Sequence, residues 1–265
     1  MSIRVEHLKY TYPHAPQPII RDVSFQVPDG LVTVVIGANG VGKSTLIKTM
    51  LGIFKGEGEA WFDGRSRREM SHAQLTALVG YMTQENALLT SLSVMNVVLL
   101  GRLGTLNIRV QDEDIEKAMD MLRLLHLESY AERPFYALSG GQRRMVDVAQ
   151  TLVRDPRILI MDEPTANLDL VNEMQVLELV RAYTHRRSTA TLLTLHDLNM
   201  AARYADHMIL LKDGCVFREG PPAEVITEEN ICQAYGVHVH VHTSSRTGTP
   251  MLLPLSPVQQ TDYLF

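Results

Sequence analysis

A chain of 265 residues with 45% hydrophobic content can bury a sizeable core unaided, and its two cysteines, Cys215 and Cys232, lie far apart without CxxC spacing, so neither a disulfide framework nor a cysteine zinc site is implied. A formal net charge of -5 with no long basic block argues against a nucleic-acid partner. Met1 to Tyr10 lacks a signal-like pattern and no apolar run reaches about 18 residues, so the expectation is a chain of a reducing compartment that does not itself span a membrane.

Ile3, Val5 and Leu8, then Ile19, Ile20, Val23, Phe25 and Val27, alternate with polar residues and predict short antiparallel strands ended by the turn Pro28-Asp29-Gly30. Leu31 to Ile36 is a β-branched apolar run of buried-strand length, followed by a glycine-rich turn and a helix-compatible stretch from Ser44 to Leu51. Ala60 to Phe62 before Asp63-Gly64 resembles a hairpin, and Val79 to Met82 reads as a further short strand. From about residue 86 to 153 the pattern turns helical, with Ile115, Met119, Leu122 and Leu125 spaced by three and four, which predicts a helical subdomain. Arg157 to Met161 and Thr189 to Leu195 read as buried strands, Val171 to Tyr183 and Leu198 to Tyr204 as helices. That alternation predicts an α/β core around a parallel sheet. His207 to Leu211 and Val216 to Phe217 flank the hairpin signal Asp213-Gly214, and residues 237–265 form a tail without a clear pattern.

Gly37-Ala38-Asn39-Gly40-Val41-Gly42-Lys43-Ser44-Thr45 fits GxxxxGK[ST] and lies between a predicted strand and a predicted helix, the context the motif needs. Its glycines let successive backbone N–H groups point inward, and the helix behind them presents its positive end, so the segment can cradle phosphates. Lys43 supplies a point charge for the β and γ phosphates, and Ser44 a hydroxyl for Mg2+, a hard cation that takes oxygen ligands. The metal needs a second anchor and the attacking water an acceptor. Asp162 and Glu163, at the end of the apolar run Ile158 to Met161, are the candidate metal holder and candidate general base.

Leu138-Ser139-Gly140-Gly141-Gln142 narrows the class. Together with the phosphate loop and the Asp162-Glu163 pair, this LSGGQ run resembles the signature of ATP-binding-cassette (ABC) ATPases, a resemblance that covers about residues 2–236. It implies a P-loop NTPase fold with a mixed-sheet core, an antiparallel β subdomain and a helical subdomain. It also implies ATP and Mg2+ as ligands and a head-to-tail homodimer, in which Ser139, Gly140, Gly141 and Gln142 of one subunit close over the nucleotide of the other. Gln84 resembles the Q-loop glutamine that reaches Mg2+ or the attacking water. Asp169 ends the D-loop-like Ala166-Asn167-Leu168-Asp169, and His196 resembles the switch histidine that bonds the γ-phosphate. For the aromatic that stacks on adenine, Tyr12 fits best and Tyr10 is the alternative. Ala38 and Val41 depart from the commonest loop pattern without replacing a phosphate ligand, and β-branched Val41 must keep a negative φ.

One cassette, no membrane span and no long coiled-coil insertion set fused exporters and DNA-repair relatives aside. What remains is a peripheral subunit at the cytoplasmic face of the inner membrane, recruited by a separate integral-membrane permease and served indirectly by a substrate-binding protein. Ala87 to Arg102, apolar with few charges, suits a groove for a coupling helix of the permease or, equally, internal core. Leu195 to Asp206, Leu211 to Gly214, Gly220 to Val225 and Tyr235-Gly236-Val237 look like the ATPases of iron-siderophore, haem and cobalamin importers. Uptake of a metal chelate, iron-siderophore first, is the expected work, and a non-transport cassette ATPase is the alternative. His238, His240 and His242 would share one face of a strand, but with no acidic or cysteine partner near them a tail strand is expected, not a metal site.

Overall fold

The computed structural model describes residues 2–84, 90–102 and 110–258. β1 (Ile3–Tyr10) and β2 (Ile20–Val27) pair antiparallel with Val5 opposite Phe25, and Ile3, Val5 and Leu8 are buried while the residues between them are exposed. β3 (Val32–Ile36) leads to α1 (Lys43–Met50), followed by β4 (Glu57–Phe62), β5 (Arg65–Ser66), α2 (His72–Leu78) and β6 (Val79–Met82). A helical layer of α3 (Val94–Leu100), α4 (Asp112–Leu124) and α5 (Gly140–Leu152) precedes β7 (Ile158–Asp162), α6 (Leu170–Arg187), β8 (Ala190–Thr194) and α7 (Leu198–Tyr204). β9 (His207–Lys212) and β10 (Cys215–Gly220) form a hairpin. After α8 (Pro222–Val225) and α9 (Glu228–Tyr235), β11 (Val237–Thr243) pairs antiparallel with β12 (Pro250–Pro257).

The ten strands β1 to β10 form one sheet in the order β5-β4-β1-β2-β10-β9-β3-β8-β7-β6. β9, β3, β8, β7 and β6 run parallel, and the antiparallel strands join them through a single parallel pair, Cys215 with Asp22. The mixed core and the antiparallel subdomain are therefore one continuous sheet. All five residues of each of β3, β7 and β8 are buried, as parallel strands covered on both faces require. Val34, Ile36, Leu159 and Met161 face the helical layer, while Val35, Ile158, Ile160 and Leu192 face α1 and the antiparallel strands. Each such side chain contributes roughly 1.5–3 kcal/mol by its burial. These two clusters pin the strands, so that the carboxyl ends of β3, β6, β7 and β8 emerge along one edge.

The helical layer departs from the sequence pattern at Ile115 and, for the Ala87 to Arg102 stretch, takes the internal-core alternative. Ile115, expected on the core face of α4, is 43% exposed, and the buried line runs through Asp114, Ala118 and Leu122 to Leu125. Asp114 is buried because Arg102 pairs with it, Nε to Oδ1 at 2.5 Å, an ion pair that hydropathy does not register. α3 sends Val94, Met95, Val97, Val98 and Leu99 into the core, so these residues of the Ala87 to Arg102 stretch are internal packing. Residues 87–89 of that stretch, the start of the helical segment at 86 and residues 103–109 lie outside the described residues.

The C-terminal segment holds more structure than its sequence suggests. Asn199 of α7 clamps the β11–β12 hairpin to the body: its Nδ2 donates to the Leu252 carbonyl at 3.2 Å and its Oδ1 accepts from the Leu252 N–H at 2.7 Å. The expectation that the histidines of β11 have no acidic or cysteine partner is wrong. Packing of α9 on β11 brings Glu228 Oε1 to 3.0 Å from His240 Nδ1 and Cys232 Sγ to 3.8 Å from His238 Nδ1. Among the described residues, no group of three or more metal-ligating side chains assembles.

Candidate functional site

The phosphate loop leaves β3 at Gly37, whose φ is +153°, and a Cβ there would lie 2.7 Å from the Leu211 carbonyl of neighbouring β9, so only glycine lets the two backbones approach. Gly42 caps α1 at φ +108°, a left-handed turn that aims the first helical N–H groups into the loop. Lys43 Nζ donates to the Gly37 carbonyl at 2.8 Å and reaches the Ala38 carbonyl at 3.5 Å, so the ammonium spans the mouth of the loop. Burial pushes this ammonium below the ordinary lysine value, and the carboxylates of Glu163 and Asp162 pull it part of the way back. On its outer side the loop is buttressed by α9, where the partly buried Tyr235 hydroxyl accepts from the Gly37 N–H.

Three strand ends supply the polar groups opposite the loop. Asp162 closes β7, fully buried. Its Oδ1 accepts from Thr194 Oγ1 at 2.6 Å, and its Oδ2 has no partner among the described residues. A buried carboxylate oxygen left unpaired is costly, and a hard oxygen of this kind is the donor type that Mg2+ takes. Glu163 follows in the left-handed region at φ +53°, a conformation that costs a non-glycine residue about 1 kcal/mol or more. It is held there by the Thr194 hydroxyl, which accepts from the Glu163 N–H at 2.8 Å. Gln84, beyond β6, donates through Nε2 to Glu163 Oε2 at 2.7 Å, and its Oε1 accepts from Ser44 Oγ at 3.4 Å. His196, beyond β8, places Nε2 2.5 Å from Glu163 Oε1.

Gly40, Gly42, Lys43, Ser44, Thr45, Asn39 and Tyr12 line a cleft of about 490 Å³ together with Gln84, Glu163 and His196. Ala38 and Val41 border the adjoining cleft of about 680 Å³, and Val41 keeps a negative φ as its branching demands. Tyr12 is 42% exposed with its hydroxyl 2.8 Å from Thr45 Oγ1, whereas Tyr10 stacks on Phe54 at 5.0 Å. The strand ends at Tyr10, so the two tyrosines do not share a strand face and only Tyr12 reaches the cleft. A larger groove of about 1040 Å³ lies between α4 and α6 and holds none of these residues.

The remaining candidates stand apart from this cleft within one chain. Ser139 and Gln142 form a capping box at the start of α5: the Gln142 N–H donates to Ser139 Oγ at 3.2 Å and the Ser139 N–H to Gln142 Oε1 at 3.0 Å. Ser139 Oγ acts there as acceptor, which leaves its own proton free to be donated outward. Gly140 faces open space, and Gly141 lies against Asn167 and Leu168. Asp169 spends both carboxylate oxygens on Asn172, 2.8 Å from its N–H and 3.1 Å from Nδ2, as the N-cap of α6. Its carboxylate is thus a helix cap and not a wall of the cleft.

Two residues at the site escaped sequence reasoning. Thr194, read only as a β-former in an apolar strand, joins the Asp162 side chain to the Glu163 backbone. Arg144, buried on α5 alongside Asp147, donates to backbone carbonyls of both Gln84 and Glu163. Its signal in the sequence was a pair of opposite charges three residues apart, Arg144 and Asp147, set among Met145, Val146 and Val148.

Residues 20–166 match the family model described as ABC transporter. An uncharacterised ABC transporter ATP-binding protein of Methanocaldococcus jannaschii is 37% identical over 96% of this chain and 98% of its own length. The iron(3+)-hydroxamate import ATP-binding protein of Bacillus subtilis is 34% identical over 95% of this chain and 94% of its own. Among solved structures, an ATP-binding cassette in a dimeric, post-hydrolysis state bound to ADP and Pi superimposes with a TM-score of 0.75. It is 25% identical, and the match covers 83% of this chain and 98% of that one.

Proposed function

The chain belongs to the ABC transporter family as an ATP-hydrolysing, ATP-binding subunit, and we propose that it powers import of an iron(3+) chelate of the siderophore class through a separate membrane permease. The convergence of Gln84 and His196 on the Glu163 carboxylate, across a cleft from Lys43, carries the catalytic half of this reading. The likeness to the iron(3+)-hydroxamate import protein over nearly the whole chain supports the transport half. Residues 2–236 are the ATPase domain and residues 237–265 an appended segment.

Roles follow from chemistry. The loop from Gly37 to Thr45 cradles the phosphates with its N–H groups and Lys43, and Tyr12 offers a ring to adenine. Ser44, Gln84 and the unpaired Asp162 Oδ2 would hold Mg2+, which when bound neutralises charge on the phosphate oxygens. Glu163 takes a proton from the attacking water, oriented by the hydrogen bonds of Gln84 and His196 to its carboxylate. Donors aimed at the γ-phosphate stabilise the charge that develops as its bond to the leaving oxygen breaks. Ser139, Gly140, Gly141 and Gln142 do not line their own chain's cleft, and they close over the nucleotide of a second copy in a head-to-tail homodimer; the dimeric state of the related cassette supports this. Asp169, as the cap of α6, holds the Asn167–Leu168 turn against Gly141 and acts at that dimer seam.

No helix among the described residues is long and apolar enough to cross a membrane. In this reading the permease holds the subunit at the cytoplasmic face, as the likeness to import ATP-binding proteins supports, and the chelate meets the permease and its binding protein before any part of this chain. Tagged chain purified from detergent-solubilised membranes should bring down a multi-span permease. Recovery with soluble partners alone would move the assignment to a non-transport cassette ATPase.

A further inference from the structure

We propose that Arg144 is a positioning residue that locks the Q-loop and the Glu163 strand end to the signature helix of the same subunit, an inference that rests on the catalytic reading of Glu163. Arg144 is buried, and one guanidinium serves four backbone carbonyls. Its Nη1 donates to Thr83 at 2.9 Å and Gln84 at 3.0 Å, while its Nη2 donates to Asp162 at 2.8 Å and to Glu163. β6 and β7 are parallel neighbours whose registered pairing ends with Met82 opposite Met161. Beyond that pair, Arg144 takes the place of the ladder.

Gln84 and Glu163 carry the polar groups of the cleft, and their backbones are fixed to each other only a few bonds from the Nε2 to Oε2 contact at 2.7 Å. Glu163 needs such a restraint, since its φ of +53° is sparsely populated for a residue with a Cβ. The planar fork of arginine can serve two strand ends at once, whereas the compact ammonium of lysine cannot span them. Arg144 also sits five residues after Ser139, roughly 7.5 Å along α5 at 1.5 Å per residue. A shift of the α5 N-terminus, as when Ser139 meets the phosphates of the partner's nucleotide, therefore displaces Gln84 and Glu163 of its own subunit. Burial pushes the guanidinium below its ordinary value without removing its charge, and the Asp147 carboxylate is the leading group that counters this.

Arg144→Lys and Arg144→Gln in the full chain test the lock, read by fluorescent-ATP binding and steady-state phosphate release, with Glu163→Gln measured alongside. The expected result is ATP affinity within about threefold of the native chain and kcat lowered at least about tenfold in both variants, a kcat loss without a matching KM change. Native kcat in either variant would overturn the proposal. So would loss of ATP binding or of cooperative melting in both, which would make Arg144 a fold-holding residue only. A native rate in Glu163→Gln would instead overturn the catalytic reading on which the proposal rests.

Discussion

His196 Nε2 lies 2.5 Å from Glu163 Oε1, and because the opposite oxygen of that carboxylate is taken by Gln84, Glu163 is gripped from the ends of two different strands. His196→Ala should lower kcat by about 100-fold, the scale of an orienting donor in acid–base catalysis, and change ATP affinity little. Equal losses in kcat and affinity would show that His196 acts on nucleotide binding instead.

Tyr12→Ala should weaken ATP binding by roughly 1–3 kcal/mol, the scale of one base stacked on an aromatic ring. Tyr12→Phe keeps the ring and loses only the hydroxyl contact to Thr45, so its affinity should stay near native. Tyr10→Ala should instead lower the melting temperature through its lost stack on Phe54. Titration with a fluorescent nucleotide separates the three, and an affinity loss in Tyr10→Ala alone would transfer the adenine contact to that ring.

Tyr81 predicts an alkaline limit. Burial, with a smaller contribution from the Asp162 charge, raises its phenol from 10.0 to about 12. The unfolded chain therefore loses that proton at lower pH than the folded chain, and stability falls between about pH 10 and 12. Its hydroxyl is also buried without a partner among the described residues. Tyr81→Phe should melt no lower than the native chain at pH 8 and flatten the decline above pH 10. An unchanged alkaline slope would assign the limit to another group.

Mixing experiments address the shared site. Lys43→Ala and Ser139→Arg chains should each lose hydrolysis alone, and in a mixed dimer at most one composite site stays intact. Native activity in either variant by itself would mean that Ser139 to Gln142 do not act on a second copy.

Much of the site was legible because its signals are local. The phosphate loop, Asp162, Glu163 and the LSGGQ run have fixed spacing, and the runs flanking the first three became β3, α1 and β7 within a residue or two. What stayed hidden depends on long-range pairing. Ile115 faces solvent because Arg102 reaches Asp114, Thr194 matters because β8 lies beside β7, and Arg144 matters because β6 and β7 end together beneath α5. The partners of His238 and His240 likewise come from α9 folding back on β11. A linear pattern of hydrophobicity carries none of these relations, since each is set by packing of elements distant in the chain.

Glu163→Gln is the most direct test of the whole mechanism, read as phosphate release together with retention of unhydrolysed ATP on a size-exclusion column. The substitution keeps the shape and one accepting oxygen, but it puts an NH2 donor in place of the other and removes the proton acceptor. The expected result is a kcat lowered by about 100-fold or more, with ATP bound in a stable dimer. Hydrolysis at the native rate, or a monomer that fails to hold ATP, would contradict Glu163 as the base of a shared, two-nucleotide motor.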